Sequence, residues 1–222
     1  SPHEVKVGDT VYTAKNILVA TGSTPFIPEF PGSELAVDSN HFFYMEKLPT
    51  KAIVVGGGYI AVEFAGILNG FGVETHLIYR GPLFLRGFDT DIREFVREEL
   101  TKKGIHLHFD TNIEQLARND SGGLTASFGD TSIDSDMVLY ATGRRPLIDN
   151  LGLETVGVEL RSNASIIVDD YYQTSVPSIY AIGDVIGRLQ LTPVALAEGM
   201  AIVDNLVKGQ KRTVDYSNIA TA

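Results

Sequence analysis

The sequence of 222 residues contains no cysteine and no tryptophan. Without a thiol, this chain forms no disulfide, holds no thiolate-bound metal and offers no cysteine nucleophile or redox pair. Hydrophobic runs are short, and none reaches the ~18 residues of a membrane-spanning helix. We therefore expect a soluble protein with no membrane partner, in which sulfur of this chain performs no chemistry.

Positive charge is also scarce. Eighteen Lys and Arg residues face 28 Asp and Glu residues, which gives a net charge of −10. Because binding to a nucleic-acid backbone requires the opposite sign, we expect no nucleic-acid partner. No signal peptide is present and the chain begins at Ser1 rather than Met, so we expect a fragment of a cytoplasmic protein that lacks its native N-terminus.

From Lys51 onward, short apolar runs alternate with segments of helical periodicity, which is typical of βαβ units and a parallel sheet. A Gly129-Asp130 pair between two strand-like runs predicts a hairpin, so we expect an α/β fold that contains a parallel sheet and a β-meander. The predicted strands are 52–55, 73–79, 105–109, 137–140, 166–168 and 179–182. The predicted helices are 59–69, 89–103 and 193–206.

One stretch of the sequence occurs twice. The segment Ile17 to Pro25 (ILVATGSTP) is similar to Val138 to Pro146 (VLYATGRRP), at a constant offset of 121 residues. Solenoid repeats have periods of roughly 20 to 50 residues, so an array of repeats is not implied. Two interpretations stay open: a coincidence between two strand ends, or two equivalent crossings that flank an inserted domain.

A glycine-rich segment follows the first strand of the βαβ region. Gly56, Gly58 and Ala61 match the pattern G-x-G-x-x-G/A between a strand and a helix, where they suit a tight turn, a close pyrophosphate and close helix packing. The positive end of the helix dipole would face the diphosphate. The pattern predicts a dinucleotide site; the alternative is an ordinary βα loop that contains three glycines.

The end of the second strand favours NADPH over NADH. NAD sites usually carry an acidic residue there, but this strand ends in Ile78-Tyr79-Arg80, and Arg86 follows. Guanidinium groups pair well with a 2′-phosphate, and the missing acid removes repulsion. The alternative is that both arginines are solvated surface charges.

Six segments together resemble one family, the NADPH-dependent flavoprotein disulfide reductases. The resemblance is strongest to the branch that reduces glutathione disulfide, with the branch that reduces trypanothione disulfide as an alternative. A third possibility is a nucleotide-binding module without catalysis of its own. The segments are AIVVGGGYIAVEFAGILNGF (52–71), LIYRGPLFLRGFD (77–89), YATGRRP (140–146), IYAIGDV (179–185), LTPVALAEG (191–199) and DYSNIAT (215–221).

The resemblance implies a domain organisation. A Rossmann-like NADPH-binding domain at 23–146 would be inserted between two partial segments of an FAD-binding domain, 1–22 and 147–209. Residues 210–222 would begin a truncated interface domain. The implied cofactors are NADPH and FAD, the implied substrate is a small-molecule disulfide, and the full-length enzyme would be a homodimer.

The resemblance also assigns site residues. Tyr59 is similar to the gate residue over the flavin, and Glu63 to a carboxylate that pairs with a lysine near the flavin; from the residues alone, a packed aromatic and a solvated charge are equally good interpretations. Asp184 would hold a ribitol hydroxyl, although its segment alone reads as an ordinary turn. The other implied cofactor-binding residues are Ile60, Gly143, Gly183, Leu191 and Thr192.

Other features of the family are missing from the chain. The N-terminal FAD fingerprint, the redox cysteine pair and the histidine that acts as acid and base are absent. His76, His106 and His108 lie in predicted strands, where a structural role is expected rather than a ligand or proton-transfer role. We therefore predict that this chain contains no catalytic residue and no metal ligand, and that it is inactive alone.

Overall fold

The computed structural model describes residues 1–220. The chain divides into two compact units, each described by itself. The central unit is Pro25–Arg144. The flanking unit consists of Ser1–Thr24 and the described residues from Arg145 onward.

Thirteen short strands and four α-helices are assigned among the described residues. The strands are β1 (Glu4–Val7), β2 (Thr10–Thr13), β3 (Ile17–Val19), β4 (Ser23–Pro25), β5 (Lys51–Val55), β6 (Glu74–Ile78), β7 (His106–His108), β8 (Gln115–Arg118), β9 (Leu124–Phe128), β10 (Thr131–Ser135), β11 (Met137–Tyr140), β12 (Arg144–Pro146) and β13 (Ile179–Ala181). The helices are α1 (Ser39–Phe42), α2 (Tyr59–Gly70), α3 (Thr90–Lys102) and α4 (Thr192–Leu206). Single 3-10 turns cover Ser33–Leu35, Glu154–Val156 and Gly183–Ile186.

The central unit is built on a parallel sheet in the order β11-β5-β6-β7. Its inner strands are almost wholly buried because both faces are covered. On one face, residues of α2 such as Phe64 and Leu68 pack against Leu77 of β6. On the other face, Leu116 and Ala126 of the antiparallel meander β8-β9-β10 pack against the sheet. The predicted α/β class with a parallel sheet is therefore confirmed.

Local signals place the helices of this unit. Helix α3 begins after Asp89, whose carboxylate accepts a hydrogen bond from the Asp91 amide at 2.9 Å. The negative charge of Asp89 also interacts favourably with the positive end of the helix dipole. Helix α2 ends before Gly72, which has a φ of +82°. Both helices lie within one or two residues of the predicted bounds.

The flanking unit has little regular structure apart from one long helix. Strands β3 and β13 pair in parallel, and Ala201 and Ile202 of α4 contribute to the same core. The predicted strand at 166–168 is wrong. Its Ile166 amide donates to Val185 O and its Ile167 amide to Glu159 O, so the segment is buried and bonded without forming an extended ladder.

The two segments that join the units contain the ends of the repeated stretch, and β4 pairs with β12. The Leu147 amide donates to Gly22 O and the Phe26 amide to Gly143 O, both at 3.0 Å. The C-terminal ends of the two copies therefore lie in paired segments. Within residues 1–220, no helix combines the length and the apolar character needed to cross a membrane.

Candidate functional site

The glycine-rich turn lies between β5 and α2 in the central unit. Gly56 has a φ of +149°, and a Cβ at this position would lie 2.3 Å from Ala141 O and 3.0 Å from the Ala61 Cβ. The Gly56 amide donates to Ile78 O at 2.9 Å, which fixes the turn against the neighbouring strand. Gly56 and Ala61 therefore permit the close contact between strand and helix that the sequence pattern predicts.

Gly58 differs from Gly56 because the space beside it is open. A Cβ at Gly58 would meet no atom within 4 Å, and its φ of −91° is available to any residue. Gly58 is the N-cap of α2, and no side chain caps the helix. The first-turn amides of an uncapped helix attract anions, so the turn suits the diphosphate of a dinucleotide.

The middle glycine of the motif has a role that sequence reasoning missed. A Cβ at Gly57 would lie only 2.2 Å from a ring carbon of Tyr79, and a Cβ at Gly81 would lie 2.9 Å from the same ring. Gly57 O also accepts a hydrogen bond from the Leu85 amide at 2.7 Å. The Tyr79 ring therefore occupies space that only glycine leaves free, and the loop after β6 is fixed to the glycine-rich turn.

That loop carries the two predicted arginines. Arg80 and Arg86 are exposed, and within residues 1–220 neither forms a salt bridge or side-chain hydrogen bond. Arg93 of α3 holds the loop between them, because its Nε donates to Phe84 O at 2.7 Å and its Nη2 to Leu83 O at 2.6 Å. The backbone that positions the arginines is thus anchored, while both guanidinium groups remain available to an anion.

The remaining predicted residues of the central unit lie near the start of α2 and in the connection between β11 and β12. Tyr59 is the first residue of α2 and 43% exposed, and Glu63 is exposed one turn later with no ion pair in the described part of the chain. Ile60 instead packs against the core beneath the helix. Gly143 has a φ of +135° in the connection to β12.

In the flanking unit, Asp184 lies in the 3-10 turn that follows β13. Its Oδ2 accepts a hydrogen bond from Ser23 Oγ at 2.6 Å. Gly183 opens the turn with a φ of +75°. Leu191 is the N-cap of α4 and exposed Thr192 its first residue, and no side chain caps this helix either. The Asp184 carboxylate is an acceptor for a polar cofactor chain, and the Thr192 hydroxyl can donate or accept.

A buried glutamate behind this turn was not predicted. Glu198 of α4 is 1% exposed, and its Oε2 accepts a hydrogen bond from the Gly183 amide at 2.6 Å. Its Oε1 accepts from the Tyr216 hydroxyl at 2.7 Å, and Arg188 Nη1 donates to that hydroxyl at 2.9 Å. Burial raises the pKa of the Tyr216 phenol, which keeps it protonated as a donor. The only sequence signal was an acid at an inward position of an apolar helix.

The chain is similar to known proteins. Residues 1–199 match the family described as pyridine nucleotide-disulphide oxidoreductase. The chain is 44% identical to the chloroplastic/mitochondrial glutathione reductase of Pisum sativum and 41% identical to the trypanothione reductase of Trypanosoma congolense, over 99% and 94% of this chain. It covers 40% and 43% of those relatives.

A solved structure agrees with the family match. The HOCl-induced flavoprotein disulfide reductase RclA from Escherichia coli superposes with a TM-score of 0.91 at 27% identity, over 96% of this chain and 49% of that protein. The chain therefore spans between 40% and 49% of the length of these three proteins. Since the family match covers most of its length, the chain belongs to the pyridine nucleotide-disulphide oxidoreductase family.

Proposed function

We propose that this chain is the NADPH-binding central part of a flavoprotein disulfide reductase that reduces glutathione disulfide. The proposal assigns 23–146 to NADPH and the segments 1–22 and 147–209 to FAD. It rests on one observation above all: the open turn at Gly58 adjoins a loop that presents two exposed arginines.

The residues of the turn and the loop would divide the recognition of NADPH between them. The amides at the start of α2 would hold the diphosphate, which the helix dipole favours. Arg80 and Arg86 would hold the 2′-phosphate, and because both are exposed each charge-assisted contact would contribute about 1 kcal/mol. NADH lacks that phosphate, so the arginines set the preference between the two nucleotides.

The flanking unit would supply part of a flavin site. Asp184 would accept a hydroxyl of the ribitol chain, and Leu191 and Thr192 would offer backbone groups to the flavin ring. Bound flavin would carry electrons from the nicotinamide to a cysteine pair. Tyr59, exposed at the start of α2, would cover the nicotinamide position until the nucleotide enters, and Glu63 would pair with a lysine.

Two relatives support the choice of substrate. The relative at 44% identity is a glutathione reductase, whereas the trypanothione reductase is 41% identical, and trypanothione disulfide is therefore the second candidate. Because this chain has no cysteine, the thiols that reduce the substrate would come from outside it. We further propose a cytoplasmic homodimer.

Two matched glycine substitutions test nucleotide binding. Gly58→Ala adds a methyl group where the diphosphate would lie and where no protein atom lies within 4 Å of the added carbon. Gly66→Ala in α2 adds the same group in equally open space on the same helix. We expect Gly58→Ala to weaken NADPH binding at least tenfold in fluorescence titrations, with little loss of stability, and Gly66→Ala to bind normally.

Equal NADPH affinity in both variants would contradict the placement of the diphosphate.

A separate assay addresses the reaction. With NADPH, FAD and glutathione disulfide added, the chain alone should cause no fall in the NADPH absorbance at 340 nm. Turnover by the chain alone would show that it carries chemistry that we assign to other parts of the protein.

A further inference from the structure

Three histidines meet at the edge of the parallel sheet, away from the proposed nucleotide site. The register pairs His76 of β6 with His106 of β7, the edge strand, and places His108 two residues further along. One ligand atom from each of Glu74, His76 and His106 lies within 4.8 Å of the other two. The rings of His106 and His108 both stack on His76, with centroid distances of 4.6 and 5.2 Å.

One pair of these ligand atoms has the spacing found around a metal ion. Glu74 Oε1 and His76 Nε2 are 3.2 Å apart, and two ligands on a tetrahedral Zn²⁺ with bonds near 2.0 Å lie roughly 3.3 Å apart. On the far side of the same ring, His76 Nδ1 is 3.0 Å from His108 Nε2. Metal-binding histidines commonly donate their second ring nitrogen to such a partner, which fixes the ring and the tautomer.

We propose that Glu74, His76 and His106 bind a divalent first-row transition-metal ion, with His108 as the partner that orients His76. Two imidazoles and one carboxylate favour Zn²⁺ or Cu²⁺ over Mg²⁺ and Ca²⁺, which prefer oxygen ligands. Water would complete the coordination on the exposed side of Glu74 and His106. This proposal replaces our sequence-based expectation of a purely structural role for these histidines.

One neighbouring positive charge competes with a metal for Glu74. Lys51 opposes binding, since its Nζ lies 2.8 Å from Glu74 Oε1 and a metal would compete for that oxygen. Removing the Lys51 charge should therefore strengthen binding.

The site would act on the sheet rather than on the nucleotide. Glu74 pairs with Lys51 at the start of the strands, whereas the glycine-rich turn follows Val55 at their other end. Four strand residues at 3.3 Å each separate the two ends by about 13 Å. A bound metal would cross-link β6 to the three-residue edge strand β7, so we expect higher stability and unchanged NADPH affinity.

Calorimetric titration of the metal-free 222-residue chain with Zn²⁺ tests the proposal. We expect one ion per chain, loss of affinity of at least tenfold in Glu74→Gln and in His106→Ala, and tighter binding in Lys51→Met. His41→Ala, which removes an exposed histidine elsewhere in the central unit, should bind as the parent does. Mg²⁺ at the same concentrations should not bind.

Two further readouts separate a built site from surface adsorption. Zn²⁺ at one hundred times the Kd of the parent should raise the Tm of the parent by about 5 °C, and that of His106→Ala by about half as much or less. Cu²⁺ bound to the chain should show coupling to two nitrogens in its electron paramagnetic resonance spectrum. The absence of Zn²⁺ binding at millimolar concentration, or equal binding by the parent and His106→Ala, would overturn the proposal.

Discussion

Replacement of Glu198 by alanine should destabilise the flanking unit strongly. The substitution leaves the Gly183 amide without the acceptor at 2.6 Å and the Tyr216 hydroxyl without the acceptor at 2.7 Å, in a region where Glu198 is 1% exposed. An unsatisfied buried donor costs about 1 to 3 kcal/mol, and the cavity adds to this. Because the Tyr216 hydroxyl can turn towards the Tyr172 hydroxyl, 3.0 Å away, we count one unsatisfied donor and the cavity, and expect the free energy of unfolding to fall by about 2 to 4 kcal/mol.

Glu198→Gln should be much milder, because the geometry allows the amide to replace both contacts. Its carbonyl oxygen can accept from the Gly183 amide, and its NH₂ group can donate to Tyr216, whose hydroxyl can turn towards Tyr172, 3.0 Å away. Only the charge assistance is lost, about 1 to 2 kcal/mol. Urea unfolding followed by circular dichroism compares both variants with exposed Glu159→Ala as a control. A loss below 1 kcal/mol in Glu198→Ala would refute the reasoning.

Two further predictions concern the central unit. Gly57→Ala should lower the free energy of unfolding by about 1 to 3 kcal/mol, because the added methyl group would contact the Tyr79 ring. The double variant with Tyr79→Ala should lose less stability than the sum of the two single changes. An additive result would show that the ring does not cause the loss. Burial lowers the pKa values of His76 and His108 in the folded chain, so the unfolded chain takes up protons first as the pH falls. The free energy of unfolding should therefore decrease below about pH 6.5, by up to ~1.4 kcal/mol per pH unit for each histidine. Urea unfolding of metal-free protein at pH 7.5, 6.5 and 5.5 checks this, and a pH-independent result would contradict it. The charged groups around these rings are Lys51, Glu74 and His106.

The sequence predicts the elements around the glycine-rich turn because each has a local signal. Strand β5 is a continuous apolar run, α2 has helical periodicity, and α3 carries a capping acid and a terminal glycine. The segment 166–168 has the same apolar character without the pairing, and composition alone does not distinguish a buried strand from a buried irregular segment. The wrong prediction there has this cause.

Contacts between distant residues could not be predicted in the same way. The proximity of Glu198 to Gly183 depends on how α4 packs beside β13, and the histidine cluster depends on the neighbouring positions and register of β6 and β7. The place of the Tyr79 ring between Gly57 and Gly81 likewise appears only when the loop is folded. In each case the sequence shows the residue type, whereas its partner is set by tertiary structure.

The central claim is that Arg80 and Arg86 select NADPH. The most direct test measures the Kd of NADPH and NADH for the parent chain and for the Arg80→Ala/Arg86→Ala variant, with exposed Arg118→Ala as a control. Two exposed charge-assisted contacts of about 1 kcal/mol each predict a preference for NADPH of roughly 30-fold in the parent and in the control. The account predicts that the double variant loses this preference and retains its NADH affinity. Equal affinities for both nucleotides in the parent chain would contradict it.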